Sequence, residues 1–423
     1  MYASFIRRAA LSLPIACALV NASCAFVKLR ENVERIERFA TVSGTVEGGM
    51  PGTATVVVLL NADTDAQLDS FIVGARGKYY FVVPPGAYRI AAFTDAVPDF
   101  RYDPTKERGV WYGAPDTLRL GVGETRSDTD ITVAASDAVV VTQALAAPDP
   151  GNREMHGLPD VNVGTVAPID DPRFTPENGD LGMWQPLDFA LAELAGIYFL
   201  EPYSPDKTPV LFVHGMAGNP SDFAQLIAHL DRRHFQPWLL YYPSGARVDS
   251  IGRAALRWLT MLVAQHGSPH VIVVAHSMGG LVARSMIDQW VKNTGAQRVV
   301  KLDLFVTLST PWGGHAAAES GVEHAPVVVP AWNDMAPGSE FLHGLFATKL
   351  PEECRYYLLF GFEGGSMLLD GANDGVVAVA SELAPVAQEE AVKIYGFPES
   401  HMGILRSKDA SERLNRILAE SRK

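Results

Sequence analysis

Cysteine is scarce in this chain of 423 residues, which contains three: Cys17, Cys24 and Cys354. The first two lie in or next to a segment with the features of a targeting signal, so few thiols remain for the folded protein. This scarcity excludes a disulfide framework and a cysteine-rich zinc site. We expect Cys354 to be buried and to behave as a small apolar side chain.

Positive charge is also in short supply, with 35 lysines and arginines against 48 aspartates and glutamates, a net charge of −13. A protein that neutralises a phosphate backbone over a broad surface needs the opposite balance, so the sequence argues against nucleic acid as a partner. The composition is otherwise that of a globular protein, with 48% hydrophobic and 20% charged residues. The length allows two or three domains of about 150 residues each.

The apolar segment at the N-terminus is too short to cross a membrane. Arg7 and Arg8 precede an uncharged and mainly apolar stretch from Ala9 to Val20. A membrane-spanning helix needs about 20 apolar residues, and Pro14 interrupts this shorter run. The pattern is typical of a secretory signal peptide, so we predict that residues 1–23 are removed and that the protein is exported.

The end of this signal suggests a lipid anchor. The segment Ala22-Ser23-Cys24 resembles the end of a bacterial lipobox, although Asn21 stands where lipoboxes usually carry an aliphatic residue. Acylation of Cys24 would attach the protein to a membrane that it does not span. We therefore expect a membrane-anchored lipoprotein of the bacterial cell envelope, with a soluble periplasmic or secreted protein as the alternative. Residues 24–40 are predicted to form a tether helix that packs on the body of the protein.

Residues 41–135 consist of short β-prone runs separated by turn residues. The predicted strands are Val42–Glu47, Thr53–Leu60, Phe71–Gly74, Lys78–Val83, Tyr88–Phe93, Thr117–Leu120 and Asp128–Val133. Short strands at this spacing indicate a small all-β sandwich. The segment from Gly77 to Tyr88 resembles the hairpin of transthyretin-like, carboxypeptidase-regulatory-type sandwiches. We predict an accessory domain here, followed by a linker over residues 136–181, which are rich in proline, aspartate, glycine and asparagine.

From residue 182 to residue 423, apolar strands alternate with segments of helical periodicity. The predicted strands are Pro209–Val213, Trp238–Tyr242, Val271–Ala275, Leu302–Leu308, Tyr356–Phe360 and Val392–Gly396, with helices near Ser250–Gln265, Met278–Lys292 and from Ala410. Such alternation indicates a mostly parallel sheet covered by helices. The sequence therefore predicts the α/β class for this part of the chain, as one domain of catalytic size.

A serine stands between the predicted strand Val271–Ala275 and the next helix, in the segment Ala275-His276-Ser277-Met278-Gly279-Gly280. A sharp strand-to-helix turn projects such a serine above the sheet, and small residues two positions before and after it let strand and helix approach closely. This pattern predicts that Ser277 is a nucleophile. The alternative is that Ser277 caps the following helix.

A serine nucleophile that attacks a carbonyl needs N–H donors for the oxyanion that forms. One donor is expected from the residue after the nucleophile, Met278, and the second from the loop after an earlier strand. That loop is Val213-His214-Gly215-Met216-Ala217-Gly218, and we assign the second donor to Met216. His214 is expected to hold the loop by hydrogen bonds and to take no part in catalysis.

The acid and the base should follow Ser277 along the chain in the order acid, then histidine. His401 follows the last predicted strand, where a loop would present it over the carboxyl edge of the sheet, so it is the predicted base. The other histidines after Ser277 are His315, His324 and His343, and they lie in an insertion where surface or cap positions are expected. The segment after Tyr356–Phe360 offers two acids, Asp370 and Asp374.

These motifs together resemble the α/β-hydrolase superfamily, and within it the bacterial triacylglycerol-lipase-like serine hydrolases. The segments that carry the resemblance lie between Pro209 and Leu405: Val213-His214-Gly215, Ala275–Gly280, Thr307–Gly314, Asp334–Leu342, Asp374-Gly375 and His401-Met402-Gly403. The resemblance favours Asp374 over Asp370, because Asp-Gly-Val-Val at this place matches the lipase-like pattern. It implies a Ser277, Asp374, His401 triad that cleaves carboxylic esters through an acyl-enzyme.

The resemblance also implies a lipid-like ester as substrate. A phospholipase, a thioesterase and an acyltransferase use the same triad, and a non-catalytic envelope binding protein is the alternative from another class.

The apolar run from Val327 to Trp332, in the insertion from Pro311 to Phe346, is expected to form a lid or to pack in the core. The mechanism needs no cofactor and no metal. Structural calcium occurs in some lipases of this kind, but the sequence shows no ligand set for it.

Overall fold

The structure is a computed structural model that describes residues 24–96, 101–113, 117–146, 162–267, 270–292, 300–366, 369 and 371–421. The predicted signal peptide, residues 1–23, and the alternative acid Asp370 lie outside the described residues.

The N-terminal part contains one helix followed by short strands. Helix α1 covers residues 24–36. The strands are β1 (Ala40–Glu47), β2 (Ala54–Asn61), β3 (Gln67–Val73), β4 (Gly77–Val83), β5 (Gly86–Asp95), β6 (Arg101–Tyr102), β7 (Gly109–Trp111), β8 (Leu118–Leu120), β9 (Thr125–Arg126), β10 (Ile131–Thr132) and β11 (Leu145–Ala146). The longer strands overlap the predicted runs, because apolar residues in extended segments mark them. The short strands β6, β7, β9 and β11 were not predicted, since two or three residues carry no periodicity.

Two sheets of this region pack against each other. One has the order β10-β1-β4, with β9 also paired to β1, and the other has the order β3-β2-β5-β7, with β8 also paired to β5. Side chains from both sheets, such as Val42 and Phe81 from the first and Val57 and Ile90 from the second, share one buried cluster. This is an all-β sandwich.

The second part begins with β12 (Asn162–Val166), and its elements are listed here in chain order. They are α2 (Pro176–Trp184), α3 (Pro186–Leu191), β13 (Gly196–Phe199), β14 (Thr208–Val213), a 3₁₀ turn at Pro220–Phe223, α4 (Ala224–Ala228), β15 (Phe235–Tyr241), α5 (Val248–His266), β16 (His270–His276), α6 (Met278–Lys292), β17 (Lys301–Leu308), α7 (Ala316–His324), α8 (Pro330–Met335), α9 (Glu340–Leu345), β18 (Arg355–Gly361), α10 (Val379–Glu382), α11 (Pro385–Glu390), β19 (Lys393–Phe397) and α12 (Lys408–Glu420).

Eight strands of this part form one sheet in the order β12-β13-β15-β14-β16-β17-β18-β19. Strands β14 to β19 run parallel, and the pairing of β13 with β15 is antiparallel. Strands β14, β15 and β16 are buried along nearly all of their length, so helices and loops cover both faces of the sheet. The predicted class is therefore confirmed: an α/β-hydrolase fold preceded by an all-β sandwich.

The sheet begins earlier than the sequence predicted. Residues 136–181 were expected to be a linker, but they contain β12 and most of α2. Strand β12 pairs in parallel with β13 at the edge of the sheet. Its five residues, Asn-Val-Gly-Thr-Val, include Gly164 at a φ of +83°, so neither length nor apolar alternation marks it as a strand.

Helix α1 packs on the α/β domain. Leu29 is fully buried in the core of that domain. The Oδ1 atom of Asn32 accepts hydrogen bonds from the backbone N–H groups of Leu187 (2.9 Å) and Asp188 (3.0 Å), and Arg35 pairs with Asp188 at 2.6 Å. Asn32 thereby satisfies free N–H groups at the start of α3, which lacks a side-chain cap of its own. In the described residues, no helix combines the length and apolar character needed to cross a bilayer.

The sandwich also contacts the α/β domain. Val56, Val58 and Leu60 point from β2 away from the sandwich core and form a second buried cluster, against which Met261 of α5 packs. An ion pair between Asp69 of β3 and Arg257 of α5 joins the two parts, with both side chains largely buried.

Candidate active site

Ser277 lies at the turn between β16 and α6, at the carboxyl end of its strand. Its φ of +54° is in the left-handed region, which a residue other than glycine adopts only where the surroundings enforce it. The close approach of the helix is one such constraint, because a Cβ on Gly279 would lie 2.3 Å from the carbonyl oxygen of Val213. The strained turn holds the Ser277 hydroxyl at the carboxyl edge of the sheet.

His401 and Asp374 meet Ser277 at this edge. The Nδ1–H group of His401 donates to Asp374 Oδ2 at 2.5 Å, and Nε2 accepts from the Ser277 hydroxyl at 2.9 Å. The other carboxylate oxygen of Asp374 accepts from the N–H groups of Val376 (3.0 Å) and Val377 (2.7 Å). Burial alone would raise the pKa of Asp374, but the hydrogen bond and charge of His401 and these two N–H groups lower it to about 2. Asp374 is therefore ionised, which fixes the tautomer of His401.

The backbone of His401 is held from two sides. Its N–H donates to the carbonyl oxygen of Asp374 at 2.8 Å. Its carbonyl oxygen accepts a hydrogen bond from Nε2–H of His276 at 2.9 Å. Burial, with the charge of His401, lowers the pKa of His276 to about 3, so His276 is a neutral donor. The sequence analysis missed this contact because His276 and His401 are far apart along the chain.

The loop after β14 lies directly against Ser277. A Cβ on Gly215 would lie 2.9 Å from Ser277 Cβ and 3.4 Å from its Oγ, so glycine permits this approach. The loop is fixed by a hydrogen bond from the N–H of Ala217 to the Ser244 hydroxyl at 2.9 Å. Within the described part of the chain, the N–H groups of Met216 and Met278 have no hydrogen-bond partner. Both are thus available to an oxyanion.

His214 has the structural position that was expected of it. It is buried and stacks on Tyr242 at 4.1 Å between ring centroids. Its Nδ1–H donates to the Gly215 carbonyl oxygen at 2.7 Å, and its Nε2 faces the N–H of Tyr242 at 3.4 Å. Burial lowers its pKa to about 4, so the ring is neutral at physiological pH.

The remaining histidines after Ser277 lie in the insertion, as predicted. His324 and His343 are exposed. His315 caps helix α7, where its Nδ1 accepts from the N–H of Ala317 at 3.2 Å. Burial, with the charge of the neighbouring His401, lowers the pKa of His315.

The apolar run of the insertion packs inward. Val329 and Ala331 are fully buried in the core of the α/β domain, and Val327 and Trp332 pack partly buried against it. Asp334 at the end of α8 accepts from the N–H of Val248 at 2.7 Å. The sequence left open whether this run forms a lid or packs in the core, and in this structure it packs in the core.

A third acidic side chain, Glu382, lies beside Asp374 and His401, with one polar atom of each within 4.8 Å of the others. Such a grouping could hold a metal ion, but Asp374 and His401 are already joined to each other by a hydrogen bond. The group therefore fits a hydrogen-bonded cluster better than an ion site. The sequence analysis did not single out Glu382.

The two cysteines in the described residues differ in exposure. Cys24, the predicted acylation site, is exposed at the start of α1. Cys354 is buried, as expected, and burial raises its pKa to about 12. Cys354 is therefore an inert thiol.

Residues 205–336 match a protein family described as "Putative serine esterase (DUF676)". This stretch contains the loop with Met216 and the turn with Ser277, and it ends before Asp374 and His401. A search of curated proteins found no match.

Several solved structures are similar to this chain. Mature Bacillus licheniformis lipase BlEst2 is 18% identical with a TM-score of 0.42, covering 53% of this chain and 97% of that one. Phospholipase PlaB from Legionella pneumophila in complex with thio-NAD is 20% identical with a TM-score of 0.35, covering 42% and 44%. Aspergillus fumigatus lipase B is 16% identical with a TM-score of 0.37, covering 55% and 57%.

Proposed function

We propose that this protein is an exported serine hydrolase that cleaves carboxylic esters, with lipid-like esters as its substrate class. The observation that carries the proposal is the continuous hydrogen-bonded chain from Ser277 through His401 to Asp374. The match of the Ser277 region to a serine esterase family supports the same chemistry.

In the proposed mechanism, the neutral Nε2 of His401 takes the proton of the Ser277 hydroxyl as its oxygen attacks the ester carbonyl. The N–H groups of Met216 and Met278 stabilise the oxyanion. His401 then protonates the leaving alcohol, which departs and leaves an acyl group on Ser277. Water, activated by His401 in the same way, releases the acid and restores the hydroxyl. Asp374 stays ionised throughout and stabilises the imidazolium.

Exposed apolar side chains next to the triad favour a lipid-like substrate. Val376, two residues after Asp374, is 44% exposed, and Met402, next to His401, is 38% exposed. Burial of such groups against an acyl chain contributes about 25 cal/mol per Å² of apolar surface. A long acyl chain should therefore gain more from this surface than a short one.

Steady-state hydrolysis of p-nitrophenyl esters tests the mechanism. Ser277→Ala should lower kcat by at least about a thousandfold. Ser285→Ala provides the matched control, because Ser285 is buried in the same helix α6 and bonds to Asp249 and Gln289. Its kcat should stay close to that of the wild type. Equal activity in the Ser277→Ala variant would refute the proposed nucleophile.

A comparison of butyrate and palmitate esters tests the substrate class. Val376→Ser and Met402→Ser should lower kcat/KM for the palmitate ester more than for the butyrate ester. Val386→Ser is the control, since Val386 is equally exposed but lies on α11. If both esters lost activity by the same factor, the lipid-like assignment would be wrong.

We also propose that the protein is anchored in the bacterial cell envelope through acylated Cys24. The exposure of Cys24 at the start of α1 supports this, and so does the packing of α1 on the α/β domain. Growth of expressing bacteria with an alkyne fatty acid should label the wild type and leave Cys24→Ser unlabelled. An unlabelled wild type in the soluble fraction would show that the alternative, a periplasmic or secreted protein, is correct.

A further inference from the structure

Glu382 is a buried acid placed directly behind the triad. It is the last residue of α10 and is fully buried, and its carboxyl lies within 4.8 Å of ligand atoms of both Asp374 and His401. Helix α10 is held in this position by Ser381, whose hydroxyl donates to the Gly314 carbonyl oxygen at 2.6 Å. Glu382 is therefore fixed beside the triad by the fold.

Two neighbouring buried carboxyl groups cannot both be ionised without a large cost, so one of them keeps its proton. Asp374 accepts three N–H hydrogen bonds, from His401, Val376 and Val377. In the described residues, neither oxygen of Glu382 has an N–H donor or a basic partner. The negative charge is therefore on Asp374, and the proton is on Glu382.

The surroundings of Glu382 act in the same direction. Burial raises the pKa of Glu382 to about 9, and the charge of Asp374 adds to the effect, while the Ser309 hydroxyl opposes it. The other titratable groups of this cluster are His401, which bonds to Asp374, and His315, whose pKa is lowered. Neither of these side chains donates a hydrogen bond to Glu382 in the described residues.

Ser309 is another polar neighbour of Glu382. Its Oγ accepts a hydrogen bond from the N–H of Gly361 at 3.2 Å, so the hydroxyl hydrogen remains available to the Glu382 carbonyl oxygen. Ser309 has a φ of +48°, and its own N–H donates to the Leu359 carbonyl oxygen at 2.9 Å. With the Ser309 hydroxyl as a donor for one Glu382 oxygen, the other oxygen is free to carry the proton.

We propose that Glu382 is a positioning residue, a protonated carboxyl that donates a hydrogen bond to the Asp374 carboxylate and keeps that carboxylate aligned with His401. This inference rests on the proposed function, because it concerns the same triad. Glu382 touches neither the substrate nor the reacting atoms, so it acts through Asp374.

Two substitutions separate this role from simple packing. Glu382→Gln keeps a neutral donor of nearly the same shape, so kcat and the acid limb of the kcat/KM pH profile should stay close to the wild type. Glu382→Leu removes the donor, so kcat should fall about tenfold with KM unchanged. The acid limb should also move to higher pH, because an Asp374 carboxylate that has lost a hydrogen-bond donor makes the Asp374–His401 pair hold a proton more strongly. Glu389→Gln, an exposed change on α11, is the control.

Two outcomes would overturn the proposal. A shift of the acid limb to lower pH in Glu382→Gln would mean that an ionised carboxylate had been removed. Unchanged kcat and pH profile in Glu382→Leu would mean that the contact with Asp374 does not matter for the reaction.

Infrared difference spectroscopy distinguishes failure of this proposal from failure of the proposed function. The wild type at neutral pH should show a protonated carboxyl stretching band that Glu382→Gln lacks. This readout needs no turnover and remains valid if Glu382→Leu does not fold. If the wild type showed the band but had no activity, the proposed hydrolase function would be refuted, whereas the inferred protonation of Glu382 would stand. Absence of the band would overturn the inference about Glu382 even in an active enzyme.

Discussion

Replacement of Glu382 by glutamine should make the protein more stable, and the gain should grow with pH. An unfolded glutamate loses its proton near pH 4.5, whereas burial raises the pKa of Glu382 in the folded protein to about 9. Between these values the folded chain binds one proton more than the unfolded chain, so the free energy of unfolding of the wild type falls as pH rises. Glutamine does not titrate, so position 382 adds no such pH dependence to the stability of Glu382→Gln.

The size of the effect follows from the single proton involved. The free energy of unfolding of the wild type should fall relative to Glu382→Gln by about 1.4 kcal/mol per pH unit. From about pH 5.5 to about pH 8 the difference should therefore change by about 3 kcal/mol. Asp374 titrates below this window in both proteins, because its pKa is lowered to about 2, so its contribution cancels.

Urea unfolding of both proteins at a series of pH values, followed by fluorescence, measures this difference. Glu389→Gln should show no such trend against the wild type, because Glu389 is exposed. A stability difference between wild type and Glu382→Gln that stayed flat over the window would refute the reasoning, since it would mean that Glu382 is ionised in the folded protein.

Three further predictions concern the triad, the oxyanion loop and helix α1. Asp374→Asn should lower kcat for p-nitrophenyl butyrate about ten-thousandfold, because an amide no longer fixes the tautomer of His401; a loss below tenfold would contradict this role. Gly215→Ala should lower kcat about a hundredfold, since the new Cβ would lie 2.9 Å from Ser277 Cβ and displace the loop; wild-type kcat would argue against it. Leu29→Ala should destabilise the protein by about 2–5 kcal/mol in urea unfolding, and an unchanged midpoint would show that α1 docking contributes nothing.

Much of the site could be predicted because its parts follow strand ends. Ser277, Asp374 and His401 each come after a recognisable apolar strand, and the carboxyl ends of parallel strands share one edge of the sheet. The structure brings the three within hydrogen-bond distance at that edge. Met216 and Met278 lie beside them for the same reason.

Other features depend on contacts that leave no local pattern. Glu382 ends the four-residue helix α10, which is too short to show a periodic pattern, and α10 is held by a contact from elsewhere in the chain, the hydrogen bond from Ser381 to Gly314. Strand β12 is short, contains Gly164 and lies at the sheet edge, so residues 136–181 resembled a linker. The hydrogen bond from His276 to His401 joins residues on separate elements. Long-range packing decides all three.

The most direct test of the central claim is the intact mass of the protein after exposure to a fluorophosphonate, which reacts with activated serine nucleophiles. We predict one adduct on the wild type, mapped to Ser277, and none on Ser277→Ala, with Ser285→Ala labelled like the wild type. A folded wild type that hydrolyses esters without forming this adduct, or an adduct that persists in Ser277→Ala, would contradict the account.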